Sequence, residues 1–292
     1  HRTSGRIGRR KTRWAYFFIA PQIVGLLLFS VLPTFASLGL SFTDFQLGGA
    51  ATWVGVDNYV TQFSNPVVMK AIGNTLSFTI LYVPALIALA LAVALLMVRV
   101  RRGGALYQSA YFLPLVTSTA ATALVWAMLF QPSGLANQIL ASLGLPPAKW
   151  LSSASQALPT LVVIVVWASL ATSTILFIAA IRSVPAELLE AASIDGAGGW
   201  RKFWYITFPM ISPTTFFIAV ISVIGALQLF TEPYLVTKGG PGNATTTVVL
   251  ELYHRAFEYS AIGPATAIAV VLFLAILLLT LVQFRLSRWV NY

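Results

Sequence analysis

Three carboxylates lie within one short stretch of the sequence, ELLEAASIDGAGGW at residues 187–200. They are Glu187, Glu190 and Asp195, and the whole chain contains only 8 acidic residues. Long apolar segments precede and follow the stretch, so its charges do not belong to a generally polar region. The chemistry that these carboxylates offer is charge pairing, with Glu190 presented to a basic group of a partner protein.

The stretch is predicted to form a short helix. Ser183 is expected to cap its N-terminus, with Pro185 in the first turn, where a missing N–H costs little. Glu187 follows in the same turn, where the helix dipole favours an anion. One face of the helix consists of small or apolar residues, Leu188, Ala191 and Ala192. A glycine-rich turn that begins at Gly196 is expected to end the helix.

A second short helix is predicted to begin near Trp200, with Phe203 and Trp204 on the same face and Arg201 and Lys202 beside them. Tryptophan and basic residues favour lipid headgroups, so this helix suits the membrane surface. The first helix does not, because it is acidic and inner leaflets are anionic. For the first helix we therefore prefer docking into a groove of another protein, with a position on the lipid surface as the alternative.

Several kinds of active site are missing from the sequence. The chain has no cysteine, which excludes disulfides and thiolate chemistry, and His1 and His254 are too few for a histidine-rich metal site. The phosphate-binding motif G-x-x-x-x-G-K-[ST] is absent, since the only lysine before Ser or Thr, Lys11, follows Arg10. The motifs G-x-S-x-G and H-E-x-x-H are absent as well. We expect no enzyme activity and no ATP hydrolysis by this chain.

The composition predicts an all-α integral membrane protein. Hydrophobic residues make up 58% of the chain and charged residues 9%, whereas a soluble domain has about 25% charged residues. Apolar runs long enough to cross a bilayer as helices occur six times. They are Tyr16–Leu40, Ala71–Val98, Tyr107–Phe130, Leu158–Ile181, Ser212–Thr231 and Pro264–Phe284. The first run is too long for a cleaved signal peptide.

The basic residues predict the orientation of these spans. Most of the 18 lysines and arginines precede the first span or follow the second, fourth and sixth spans. The positive-inside rule then places both termini, and the loop 182–211, in the cytoplasm, which agrees with an even number of spans. The net charge of +10 is therefore assigned to membrane orientation and not to nucleic-acid binding.

The loop carries a family signature. Glu190-Ala191-Ala192, three residues, Gly196, nine residues and then Ile206-Thr-Phe208-Pro209 resemble the E-A-A, G, I-x-L-P pattern of permease subunits of binding-protein-dependent ABC importers. Phe208 stands where that family often has leucine. The segments YFLPLVTSTAATALVWAMLFQPSGLANQIL and YLVTKGGPGNATTTVVLELYHRAF are similar to carbohydrate permeases of the maltose/glycerol-3-phosphate type. Together the resemblance covers nearly the whole chain.

The resemblance implies a type I importer fold and a set of partners. Two six-span permeases would pair in a bacterial cytoplasmic membrane, with two ATPase subunits beneath and a solute-binding protein outside. ATP and Mg would lie on the partner ATPase, and this chain would bind no cofactor. Residues 1–14 would be a basic cytoplasmic segment and residues 15–292 the permease domain. The helix that docks on the ATPase would use Glu187, Glu190, Ala191, Ala192, Asp195 and Gly196.

The resemblance also points to the fourth and fifth spans as the sugar pathway. A sugar needs hydroxyl and amide partners and aromatic faces, and these spans supply Trp167, Ser169, Thr172, Ser173, Gln228, Thr231 and Glu232. Small polar residues that merely pack helices are the alternative. An ion-coupled transporter is the rival class, but the span centres lack ionisable residues, and Glu232 is the only candidate near one. The loop Gly239–Gly242 is expected to be a tight outer turn or a contact with the binding protein.

Overall fold

The computed structural model describes residues 4–100, 111–112, 115, 117–287 and 290, and this part of the chain is built from helices joined by short turns. Within these ranges the only β pairing is an isolated bridge between Thr43 and Trp53. The helices used below are α1 (Ser4–Leu26), α2 (Leu32–Leu40), α3 (Asp57–Phe63), α4 (Pro66–Arg99), α5 (Thr119–Leu129), α6 (Leu135–Ser142), α7 (Ala157–Arg182), α8 (Ala186–Ile194), α9 (Gly199–Met210), α10 (Ser212–Leu227), α11 (Val248–Tyr253) and α12 (Ile262–Leu286). The predicted all-α class is confirmed.

Four helices of the described residues are long and apolar enough to cross a membrane: Tyr16–Leu40, Pro66–Arg99, Ala157–Arg182 and Ile262–Leu286. A fifth candidate is the bent pair α9 and α10, whose axes differ by 64°. These helices agree with five of the six predicted spans. In the predicted third span only α5, which is too short to span alone, forms a substantial described helix, and residues 107–110, 113, 114 and 116 lie outside the described residues.

The chain divides into two compact units, and the smaller one comprises residues 1–62 and 254–271. Its turn after α2 is fixed by Asn58, whose side-chain amide donates to the carbonyl oxygens of Ser41 (2.9 Å) and Thr43 (2.7 Å). The N–H of Gly263 donates to the carbonyl of Phe45, and a Cβ at this glycine would collide with the Thr43 carbonyl. Glycine is therefore required where α12 begins.

The larger unit comprises residues 63–253 and 272–292, and the packing of α4 against α7 forms its centre. Asn65 caps α4 by accepting a hydrogen bond from the N–H of Val67 at 2.9 Å, and Pro66 occupies the first turn. Two clusters of buried side chains lie along the helix pair. The first contains Phe78, Tyr82, Leu86, Leu161, Ile164 and Val165, and the second contains Ala90, Ala94, Phe177, Ile178, Ile211 and Ile218. These clusters hold the two candidate sites described next.

Candidate functional site

The acidic helix α8 begins one short turn after the fourth span. The prediction that Ser183 caps α8 is wrong, because Ser183 ends α7 and its hydroxyl donates to the Ala180 carbonyl at 2.8 Å. The residue before α8 is Pro185, which offers no side-chain cap. Pro185, which was predicted in the first turn, thus occupies the capping position itself, and proline has no side-chain acceptor for the first N–H groups of the helix. The predicted position of Glu187 in the first turn of α8 is confirmed.

The C-terminus of α8 is closed by a glycine turn. Gly196 has a φ of +75°, a left-handed conformation that L side chains rarely adopt. The N–H of Ala197 donates to the Ala192 carbonyl at 2.8 Å, and the N–H of Gly196 donates to the Ser193 carbonyl at 3.1 Å. These two bonds form a Schellman motif, with Asp195 as the last half-helical residue. The sharp turn predicted at Gly196 is confirmed.

The described residues attach α8 to the molecule along one edge. Leu189 packs against the buried cluster that contains Ile211, and the Lys202 ammonium of α9 donates to the Ser193 hydroxyl at 2.5 Å. The opposite face is exposed, including an apolar residue that is 87% accessible, Ile194. Glu187, Leu188, Glu190 and Ala191 are likewise exposed. The helix therefore presents carboxylates and small apolar residues on one uncovered surface.

The predicted aromatic face of α9 is confirmed. The ring of Trp200 lies 6.2 Å from that of Phe203 and 5.7 Å from that of Trp204, and Trp204 lies 5.1 Å from Phe208. Lys202 turns back toward α8, whereas Arg201 is exposed beside the rings. The two helices thus form a fixed corner with an acidic arm and an aromatic and basic arm.

A second candidate site lies where the fifth span breaks. The helix α10 ends at Leu227, four residues before the predicted end of the span. The chain turns at Gln228 and re-enters a helical conformation at Thr231. Because the backbone bends here, side chains that a straight helix would spread over several faces can converge.

The break opens onto a pocket of about 250 Å³, called here the central pocket. It is lined by Phe78, Tyr82, Val165, Ser169, Gly225, Ala226, Gln228, Leu229, Phe230, Thr231 and Glu232. Four of the seven predicted pathway residues therefore come together, Ser169 from α7 and three residues from the break. Glu232 is 7% exposed, so its carboxylate is held inside the protein.

The other three predicted pathway residues lie elsewhere on α7. The Trp167 ring packs edge-on against Trp126 at 5.4 Å and is 38% exposed. Thr172 is exposed and Ser173 is buried, and neither lines the central pocket. The polar residues of α7 thus point in different directions around the helix.

Sequence reasoning missed the contribution of the second span to the central pocket. The Tyr82 hydroxyl donates to the Ser169 hydroxyl at 2.9 Å, and the Tyr82 ring stacks on Phe78 at 5.3 Å. The two aromatic residues are four positions apart, the spacing of neighbours on one helix face. A tyrosine in an apolar run was the available signal, since its hydroxyl requires a partner when buried.

The loop after the central pocket is a rigid turn. Gly239 has a φ of +81°, and the N–H of Gly240 donates to the Thr237 carbonyl at 2.9 Å. Side chains of α4 hold the loop from one side: Lys70 donates to the Gly242 carbonyl at 2.7 Å, and Asn74 donates to the Thr246 carbonyl at 2.9 Å. The turn geometry predicted at Gly239–Gly242 is confirmed, and a contact of this loop with the binding protein stays a prediction.

Comparison with known proteins gives one family and consistent relatives. The family model "Binding-protein-dependent transport system inner membrane component" matches residues 85–292. The "Probable ABC transporter permease protein YesP" of Bacillus subtilis strain 168 is 34% identical over 97% of this chain and 94% of its own length. The "Arabinooligosaccharides transport system permease protein AraP" of the same organism is 33% identical over 93% of this chain and 88% of its own length.

Solved structures show the same fold. A chain of a bacterial ABC transporter involved in the import of the acidic polysaccharide alginate matches with a TM-score of 0.86 and 25% identity, covering 98% of this chain and 100% of that chain. A second structure of the alginate transporter, in complex with an alginate pentasaccharide-bound periplasmic protein, matches with a TM-score of 0.85 and 24% identity. This match covers 99% of this chain and 98% of that chain.

Proposed function

Because the chain belongs to the family of binding-protein-dependent transport system inner membrane components, we propose that it forms half of a membrane pathway for a carbohydrate. Its cargo would be an oligosaccharide or sugar derivative that a binding protein delivers from outside the cytoplasmic membrane of a bacterium. The arabinooligosaccharide relative and the fold shared with the alginate transporter support this cargo class. Membership of the family disfavours the rival reading as an ion-coupled secondary transporter.

The observation that carries the proposal is the uncovered surface of α8. A helix of 9 residues is too short to be stable alone, yet α8 is fixed at Leu189, at Ser193 and by the turn at Gly196. Such a preorganised helix loses little entropy on binding. We infer that it docks in a groove of a separate ATPase, with Glu187, Glu190 and Asp195 facing basic residues of that partner. Ala191 and Ala192 then permit close approach.

The central pocket is our proposed point of contact with sugar. Ser169, Gln228, Thr231 and Glu232 supply hydroxyl, amide and carboxylate partners, and Tyr82 adds an aromatic ring. This mixture suits a polyhydroxylated ligand, since apolar ring faces stack and hydroxyl groups pair with the polar side chains. Trp167 and Thr172 are exposed on α7, and we assign them to the part of the pathway shared with a second permease. Ser173 is buried within this chain, and its role in the pathway stays a prediction.

The proposed complex contains this chain, a second homologous permease, two ATPase subunits that bind ATP and Mg, and the binding protein. Residues 1–14 form a basic cytoplasmic segment, residues 15–292 form the six-span permease domain, and the loop 182–211 and both termini face the ATPases. Closure of the ATPase pair would draw the two docking helices together and open the pathway outward. Hydrolysis would reverse the movement and release sugar inside.

Affinity purification of the tagged chain in mild detergent tests this assembly. We expect a P-loop ATPase and a second permease to be identified by mass spectrometry with the wild type. Glu190→Lys should lose the ATPase and keep the second permease, whereas Glu258→Lys, an exposed carboxylate outside α8, should keep both. A wild type that retains the second permease but no ATPase would contradict the proposal, and ion-coupled uptake would then be measured with Glu232→Gln.

A further inference from the structure

The exposed face of α9 is an unusual surface for a helix outside the apolar spans. Trp200 is 75% exposed, Trp204 is 45% exposed and Tyr205 is 78% exposed, and Arg201 is exposed between them. We propose that this aromatic–basic face, Trp200, Arg201, Trp204 and Tyr205, binds anionic phospholipid headgroups. The binding of lipid rests on the membrane-spanning character of the chain and not on its cargo, whereas the consequence for α8 rests on the proposed docking to an ATPase.

The direction of α9 supports a position in the headgroup layer. The helix is bent by 64° from α10, so it turns toward the membrane plane if α10 runs along the membrane normal. Its 12 residues extend about 18 Å at the usual helical rise. The opposite side of α9 faces the protein, since Ile206 packs against the buried cluster around Ile211. With its apolar side packed on the protein, α9 presents its tryptophan, tyrosine and arginine side chains toward the headgroup layer, where these residue types are enriched.

The aromatic residues on the face match a headgroup surface, and Arg201 favours an anionic one. Tryptophan and tyrosine rings are amphipathic and favour the headgroup region. Arg201 carries a permanent charge and several N–H donors, which suit a phosphate group. Glu187 and Glu190 are exposed on α8 and carry the opposite charge to Arg201, so an anionic surface attracts α9 and repels these two carboxylates. Asp195, by contrast, lies in the cleft beside Arg201. The lipid would thereby hold α8 away from the membrane and toward the side from which a protein partner approaches.

Contacts between α8 and α9 link the position of one helix to that of the other. Lys202 donates to Ser193, and a cleft of about 420 Å³ between the helices is lined by Asp195, Arg201 and Tyr205 among others. Because these contacts join α8 to α9, we expect a lipid bound to α9 to influence the orientation of α8 as well. The anionic lipid is thus an orienting ligand for the docking helix.

The absence of native cysteine allows a direct test with single spin labels. Full-length Tyr205→Cys and Ala191→Cys are labelled with a nitroxide and placed in nanodiscs of phosphatidylglycerol or phosphatidylcholine. We expect the label at position 205 to collide with oxygen in phosphatidylglycerol and to be shielded from a water-soluble nickel chelate. The label at position 191, on the exposed acidic face, should remain accessible to the nickel chelate in both lipids.

Removal of one charge tests the electrostatic part. One basic residue near an anionic surface contributes roughly a fivefold change in affinity. Native mass spectrometry of the full chain should therefore show roughly fivefold weaker binding of phosphatidylglycerol in Arg201→Gln. Arg182→Gln removes an exposed arginine at the end of α7 and should change that binding much less. If the chain with Tyr205→Cys does not fold, Trp200→Cys serves as the labelled position.

Three outcomes would overturn the proposal. If the label on α9 is as accessible to the nickel chelate as the label on α8 in both lipids, the aromatic–basic face lies in water. That face would then be available to a protein partner and not bound to lipid. Equal oxygen collision in phosphatidylglycerol and phosphatidylcholine would remove the dependence on anionic headgroups. If Arg201→Gln and Arg182→Gln weaken the binding of phosphatidylglycerol equally, the lipid is attracted by the positive charge of the chain in general and not by the aromatic–basic face.

Discussion

The hydroxyl of Thr247 donates a hydrogen bond of 2.7 Å to the carbonyl oxygen of Leu229, 18 positions earlier in the chain. Leu229 lies in the break after α10, where the helix leaves backbone groups without helical partners. Thr247 is completely buried, so no water replaces this bond. The segment that precedes α11 and the wall of the central pocket are therefore joined through one side chain.

Thr247→Val should destabilise the break and alter the central pocket. Valine has the same shape but leaves the Leu229 carbonyl unsatisfied, which costs about 1–3 kcal/mol. We expect a lower Tm of the detergent-solubilised chain and a weaker apparent substrate affinity in reconstituted uptake. Thr247→Ser keeps the hydroxyl and should retain most of both properties, and a valine variant with wild-type Tm and uptake would show that the bond is dispensable.

Tyr82→Phe tests whether the second span contributes to the pathway. The change removes only the hydroxyl that donates to Ser169, and hydrogen bonds between membrane helices contribute about 0.6 kcal/mol on average. Stability should therefore change little, while the KM for sugar uptake should rise because the ligand loses a polar neighbour. Comparison of Tyr82→Phe, Ser169→Ala and the double variant gives the coupling, and fully additive effects on KM would contradict the pairing.

Gly196→Ala should strain the turn that closes α8. The left-handed conformation costs a residue with a Cβ about 1–2 kcal/mol, and open space around the Cβ position leaves this backbone strain as the only penalty. We expect weaker co-purification of the ATPase with an intact second permease. Gly198→Ala is the matched control, because Gly198 is extended and also has open space around it. If both variants weaken ATPase co-purification equally, the left-handed turn at Gly196 is not the cause.

Gly239→Ala should be more harmful than Gly242→Ala. Both glycines have positive φ, +81° and +57°, so both substitutions strain the backbone. Only at Gly239 would the new Cβ also meet the Thr246 hydroxyl at 2.5 Å, within a fully buried threonine cluster. The Tm difference between the two variants measures this steric contribution. Identical Tm values would indicate that the threonine cluster accommodates the new Cβ without loss of stability.

Leu188→Ala and Leu189→Ala should separate docking from stability. Leu189 packs on the buried cluster and fixes α8, so its truncation should lower Tm and also loosen the docking helix. Leu188 is 46% exposed on the uncovered surface, so its truncation should leave Tm unchanged and weaken ATPase co-purification. A lower Tm for Leu188→Ala would indicate that this surface already packs within the chain.

The sequence by itself determined the features that depend on local pattern. The first span is Tyr16–Leu40 in prediction and structure alike, because the apolar run is bounded by polar residues at the length that a bilayer requires. The turn at Gly196 was predictable because only glycine adopts its conformation without strain. The aromatic face of α9 followed from helical spacing, and the family followed from the E-A-A signature.

Only the tertiary structure decided which residues of the spans meet. The helix α7 is apolar around its whole circumference, so its sequence does not indicate that Ser169 faces the central pocket while Trp167 and Thr172 do not. Gly225 precedes the end of α10 at Leu227, but a single glycine inside a helical pattern does not by itself predict a break, and this break is stabilised by the distant Thr247. Ser183 was misassigned because the same hydroxyl chemistry can serve the end of one helix or the start of the next. In each case contacts between segments far apart in sequence, and not local preference, set the outcome.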